Sequence, residues 1–109
     1  MRALIVKKGI RSPWGKVQNV EHITPWLSRV STATHGGFKL APNKNKYIPN
    51  DLRRKGCWYE EDCEVSIIFV YLEDQIKIDI FDECKQFYTK WIDNGSFKES
   101  LTRYFGVIL

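Results

Sequence analysis

One histidine and four acids are the side chains whose types and spacing best suit chemistry here. His35 stands in the run Ser31-Thr32-Ala33-Thr34-His35-Gly36-Gly37-Phe38-Lys39-Leu40. An imidazole ordinarily titrates near neutrality, so it can take a proton, ligate a metal or, when charged, hold an anion. A tight Gly36-Gly37 turn would present it beside backbone N–H groups, as anion-binding loops do. The plainer reading is a histidine that pins its own turn by hydrogen bonding. Glu60, Glu61, Asp62 and Glu64 crowd into a second run, Gly56-Cys57-Trp58-Tyr59-Glu60-Glu61-Asp62-Cys63-Glu64. On a helix, Glu60 and Glu64 lie four residues apart on one face, and Glu61 projects elsewhere. Such a pair suits a hard cation such as Mg²⁺, or acid–base work in which each carboxylate raises the other's pKa. Joined to His35 they would form a metal-assisted phosphodiester hydrolase, with His35 and Glu61 catalytic and Glu60 and Glu64 on the metal. Against this, acids at a helix start complement its dipole, and ion pairs with Arg53 or Arg54 would occupy them.

Three weaker patterns share the region. Lys39, Lys44, Lys46, Arg53, Arg54 and Lys55 are interleaved with Tyr47 and Trp58, a pattern that grips phosphates and stacks bases. A solvated loop has the same composition. Trp58 and Tyr59, beside the acids, read more readily as core than as a substrate platform. Cys63 could be a nucleophile paired with His35, but neighbouring acids raise a thiol's pKa and favour an inert, buried sulfur. A His-Gly pair with a later tyrosine and glutamate (His35, Tyr47 or Tyr59, Glu61) also occurs in ADP-ribosyl transfer enzymes. Motifs that short arise often by chance.

The elements that must position these residues divide into strands first and helices later. Residues 3–6 predict a short strand, and Ser12-Pro13-Trp14-Gly15 a turn. Residues 16–23 predict a strand whose imperfect alternation leaves room for a bulge, stopped by Pro25. Residues 26–32 predict a second strand, His35-Gly36-Gly37 the hairpin turn at positive φ, and residues 38–40 a third strand. Residues 42–46 read as a basic loop, and Asn50 as the cap of one helical turn through Arg54, closed by Gly56. The run 58–72 has the β-branched composition of a strand but four acids at its start, and it is assigned a helix beginning near Tyr59. Residues 76–93 carry one apolar stripe, Ile80, Phe81, Cys84, Phe87, Tyr88, Trp91 and Ile92, and predict a single helix. Ser96-Phe97-Lys98-Glu99 matches a capping box, so a last helix starts at Phe97 and stops at Gly106. The pattern is α+β: a small antiparallel sheet from the N-terminal half packed against two or three helices from the C-terminal half.

A chain of 109 residues with six Phe, five Tyr and four Trp is one domain, residues 1–109, with the means to build a core. A charged fraction of 28% with only seven glycines and four prolines argues against disorder. No apolar run is long enough to span a membrane, and the opening eight residues are too short in apolar content for a signal peptide. Cys57, Cys63 and Cys84 are odd in number and lack C-x-x-C spacing, which argues against a secreted disulfide framework and against a zinc site built from them alone. Charge is uneven. Residues 1–56 carry twelve Lys and Arg against Glu21 and Asp51, a balance of +10; residues 57–109 carry five against eleven acids, −6, which together give the net +4. Either the basic half faces an anionic partner, or the two halves neutralise each other across their seam.

Taken together, Ser12-Pro13-Trp14-Gly15, the His35-Gly36-Gly37-Phe38-Lys39-Leu40 run, Ile48-Pro49, Leu52-Arg53 and the Gly56-to-Glu64 run resemble an uncharacterised domain family of bacteriophages, plasmids and integrative elements. In that family a T-P-S-H-G-G-like turn precedes a G-G-W-Y-E-E-D-C-E-like motif, and the likeness covers roughly residues 12–70. Cys57 stands where the family more often has a second glycine, and Val65 where an aromatic is common. The resemblance implies a setting rather than an activity: a small accessory protein of a phage or mobile element in the bacterial cytoplasm. The reading that follows is a binding protein, without a cofactor, that engages a host protein or nucleic acid through its basic half and antagonises host defence. Its contact residues would be His35, Gly36, Gly37, Lys39, Arg53, Arg54, Trp58, Tyr59, Glu60, Glu61 and Asp62. The alternative is the metal-assisted hydrolase.

Overall fold

The computed structural model describes residues 6–109. The expected strand over residues 3–6 lies outside that span except for Val6, which is buried. Ser12 organises the first turn: Trp14 N–H donates to its hydroxyl (3.2 Å), and the hydroxyl donates to the Gly15 carbonyl (2.8 Å). Around it β1 (Arg11–Ser12) and β2 (Gly15–Lys16) pair as a small antiparallel hairpin. The strand expected over 16–23 is therefore two pieces, since β3 (Asn19–Thr24) begins only after Val17 and Gln18. Its register shifts between His22 and Thr24, at the irregularity that the broken alternation pointed to. β4 (Leu27–Ser31), β5 (Gly36–Leu40) and β6 (Trp58–Glu60) complete an antiparallel sheet in the order β3-β4-β5-β6.

Directly paired residues project on the same side of a sheet. Glu21, Arg29, Phe38 and Tyr59 are in register and face the helices, while His22, Ser28, Lys39 and Trp58 face the other way. On the helix side Ile23, Leu27, Phe38, Leu40 and Tyr59 are sealed against Ile67, Ile68, Phe69, Leu72 and Ile76. Burial of each large apolar side chain contributes roughly 1.5–3 kcal/mol. On the far side a second, smaller cluster joins Val6, Val17 and Val30, with Trp14, Val20 and Trp58 packed on it.

Gly36 and Gly37 lie inside β5, not in the hairpin turn, and neither has a positive φ. Gly37 is required for close approach, and at Gly36 a side chain would have to displace the Glu61 carboxylate. A Cβ on Gly37 would come within 2.2 Å of the Trp14 ring and 2.7 Å of the Tyr59 carbonyl; one on Gly36 would come within 2.7 Å of the Glu61 carboxylate. The expected basic loop at 42–46 is instead α1 (Pro42–Asn45), with proline in the first turn, where its missing N–H costs nothing. Asn50 caps no helix: Leu52 and Arg53 N–H both bond to the Pro49 carbonyl in a plain turn. A 3₁₀ turn follows at Lys55–Cys57, with Gly56 at φ 71° and Cys57 also left-handed at φ 65°. Cysteine there is strained, by roughly 1–2 kcal/mol.

The C-terminal half holds four helices rather than two or three. The helix expected from Tyr59 begins six residues later, as α2 (Val65–Tyr71), because Trp58–Glu60 pairs with β5 as a strand. The single helix expected over 76–93 is broken into α3 (Glu73–Asp79) and α4 (Asp82–Asn94). At the break Ile80 is extended, Phe81 N–H donates to the Ile23 carbonyl (2.9 Å), and the Cys84 thiol reaches the His22 carbonyl (3.3 Å). Helix α5 (Phe97–Phe105) starts and stops where expected, with Gly106 left-handed at φ 68°. The capping box does not form: Ser96 is itself left-handed and its side chain makes no cap bond. The fold is α+β, with the helices on one face of the sheet.

Candidate functional site

Thr32 builds the loop that carries His35. Its hydroxyl accepts from His35 N–H (3.1 Å) and donates to the His35 carbonyl (2.9 Å), and Thr32 N–H bonds to the same carbonyl (2.8 Å). The imidazole is exposed, with Nδ1 3.0 Å from Thr34 Oγ1. Glu61 N–H donates to the Gly36 carbonyl (3.3 Å), so the two motifs meet at the end of the β5–β6 pair. Their backbones are adjacent; no ion pair joins the His35 ring to a carboxylate among the described residues.

The acids form a turn, not a helical face. Glu60 Oε1 accepts the N–H groups of Asp62 (3.1 Å) and Cys63 (2.9 Å), and Glu64 Oε1 accepts Glu60 N–H (2.9 Å). Glu64 Oε2 also lies 2.8 Å from Arg54 Nε, a contact of charges in which the N–H is not aimed at the oxygen. Glu61 takes Arg29 Nη2 at 3.1 Å. Asp62 is exposed and makes no ion pair among the described residues. Among the described residues, no three His, Cys, Asp or Glu side chains gather closely enough to hold a metal ion.

Arg29, Glu21, Tyr88 and Trp91 are the participants that sequence reasoning missed. The Arg29 guanidinium lies 5.1 Å from the Trp91 ring centre and 5.8 Å from that of Phe38. Burial pulls its pKa down, but Tyr88 and Glu61 more than offset this and raise it. Tyr88, fully buried, donates to Glu21. Burial and then that bond push its phenol well above the ordinary range, partly opposed by Arg29. Glu21, Arg29 and Glu61, with Asn19 and Ser31, line an open hollow of about 380 Å³. The available signal was Arg29 as the lone charge of its strand, between Leu27 and Val30, which had to find a partner once half-buried.

Of the remaining predicted residues, Tyr59 is in the core, its hydroxyl donating to Asn45 and accepting Arg54 N–H (3.3 Å). Trp58 is half-buried on the opposite face, edge-on to Trp14, with Lys39 Nζ 4.5 Å from its ring centre. Lys39 also donates to the Gly56 carbonyl, and burial lowers its pKa, partly opposed by Cys57. The thiols of Cys57, Cys63 and Cys84 are all pushed up, first by burial; at Cys63 the neighbouring Glu60, Asp62 and Glu64 add to it. A higher thiol pKa disfavours the thiolate that nucleophilic attack needs.

Arg53 differs from its neighbour Arg54. Nε and Nη2 donate to the Ile48 carbonyl (3.1 and 2.9 Å), and Nη2 also to that of Lys46 (3.0 Å), so its charge meets neutral oxygens only. Lys44 and Lys46 place their ammonium groups 5.8 and 5.5 Å from the ring centre of Tyr47, which is 55% exposed. Among the described residues no helix is long and apolar enough to cross a membrane. A family model described as a domain of unknown function, DUF7007, matches residues 7–101. No curated protein and no solved structure matches the chain.

Proposed function

The chain belongs to the DUF7007 family, and from that premise we propose that it is a binding protein engaging an anionic partner through its basic half. One observation carries the reading: the charge excess of that half is not cancelled by the helical half. Only Arg29 and Arg54, among its described basic residues, meet carboxylates. Arg53 meets carbonyls, Lys39 and Lys44 meet aromatic rings and neutral oxygens, and Lys7, Lys8, Arg11, Lys16, Lys46 and Lys55 are exposed. Uncompensated positive charge on a protein surface attracts anionic polymers and speeds their capture. Nucleic acid fits this first, and an acidic surface on a host protein second. With the resemblance to proteins of phages and mobile elements, the reading extends to an accessory protein in the bacterial cytoplasm that blunts a host defence.

The test is binding of labelled oligonucleotides by the full chain across a salt series. Affinity should fall steeply, in proportion to the number of phosphates neutralised. Binding that ignores salt, or none, removes the nucleic-acid branch, and capture of a defined acidic host protein then decides the other. The hydrolase reading rests on the adjacency of Gly36 and Glu61. It requires the His35 ring to leave Thr34, and predicts Mg²⁺-dependent cleavage abolished by His35→Ala.

A further inference from the structure

We propose that the segment from Pro42 to Arg53 is a binding site for single-stranded nucleic acid, with an unpaired base stacked on Tyr47 and its phosphates held by Lys46 and Arg53. The inference rests on the reading just given and narrows its partner class. Tyr47 is more than half exposed although its neighbour Ile48 is fully buried. Its backbone is held in place: Tyr47 N–H bonds to the Lys44 carbonyl (3.0 Å), and the Arg53 guanidinium grips the carbonyls of Lys46 and Ile48 on either side. The ring is therefore displayed on a fixed main chain, and ordering a ligand against it costs little loop entropy.

The cations around the ring are of two kinds. Lys44 is tethered to Gln75 Oε1 (2.8 Å) and also lies 5.2 Å from the Trp26 ring centre. Lys46 has no side-chain hydrogen bond or ion pair among the described residues, and 5.5 Å is near the outer limit of a cation–π contact. A base stacking on Tyr47 can displace it onto the adjoining phosphate. Arg53 keeps its full charge because no carboxylate meets it, and a guanidinium suits phosphate oxygens. Asp51 is the sole acid between residues 42 and 56, against five Lys and Arg. A duplex has its base faces already stacked, so it could use these charges but not the ring. An acidic peptide would meet the same charges but would use Tyr47 only through an apolar or aromatic side chain of its own.

The experiment measures binding of the full chain to short oligo-dT and oligo-U, to a duplex of equal length, and to heparin and polyglutamate as polyanions without bases. Wild type should prefer the single strands; a difference between oligo-U and added oligo-dU, which share a base, would identify which sugar is bound. Tyr47→Ala should weaken single-strand binding about 5- to 100-fold and leave the duplex unaffected, while Tyr47→Phe retains binding. Lys46→Ala should make the salt slope shallower by about 0.7. If Tyr47→Ala binds oligo-dT and oligo-U as wild type does, or if heparin or polyglutamate binds as tightly as they do, the stacking site is wrong and the anion-binding reading survives. If no polyanion binds even at about 50 mM salt, the stacking site and the nucleic-acid branch fall together.

Discussion

The acidic turn at residues 60–64 concentrates Glu60, Glu61, Asp62 and Glu64 in one turn, the basic segment at residues 42–53 spreads Lys44, Lys46 and Arg53 along a longer stretch, and the two use their charge in opposite ways. In the turn, Glu60 accepts two main-chain N–H groups, Glu64 accepts a third and faces Arg54, and Glu61 takes Arg29. Its carboxylates hold the chain together. In the segment, the cations meet carbonyls, an amide and aromatic rings, none of which cancels charge. Arg53 and Arg54, adjacent in sequence, fall on the two sides of this divide. Glu60, Glu61 and Glu64 are engaged in holding the turn, while Lys46 and Arg53 meet no carboxylate among the described residues.

The comparison breaks if removing an acid leaves the fold unchanged or removing a base disrupts it. The largest effect expected is from Glu60→Ala, which deprives two N–H groups of their acceptor and should cost about 2 kcal/mol, a fall in Tm of roughly 10 °C by thermal denaturation. Tyr88→Phe follows at about 1 kcal/mol, through the lost bond to Glu21. Because the folded phenol holds its proton above the ordinary value of 10.0, wild-type stability should decline as pH rises beyond about 10. The phenylalanine variant should lose that part of the alkaline decline, as read by denaturant melts at increasing pH.

A smaller difference sharpens the view of the turn joining the regions. Cys57→Gly should be more stable than Cys57→Ala by about 1 kcal/mol, since both remove the sulfur but only glycine relieves the left-handed backbone. Equal melting of the two variants would show that the strain is absent. Smallest of all, His35→Ala and Lys46→Ala should leave the melting curve unchanged, because both side chains are exposed.

What could be read from the sequence was local. The β4 strand, the span of α5 and its glycine stop, and the α+β order all follow from neighbours in the chain. The failures were long-range. Residues 58–60 became a strand because β5, some twenty positions earlier, offers them a partner. The paired glycines read as a turn because Trp14 and Glu61, which occupy the space of their missing side chains, are distant in sequence. The break between α3 and α4 was hidden because Ile76, Ile80 and Cys84 stay buried straight through it, so the apolar stripe never falters. At the candidate site the basic-aromatic pattern was visible, but which cations stay uncancelled depends on tertiary partners.

That same break bears on the company the protein keeps. Among the described residues β3 is the outermost strand on its side, and such an edge invites a further strand from another chain. Phe81 and Cys84 block it by occupying the carbonyls of Ile23 and His22. At the opposite margin β6 runs for only three residues, too short to template an extension. Self-association by sheet continuation is thus discouraged at both margins of the described sheet, so copies of the protein crowded side by side would not fuse through their strands.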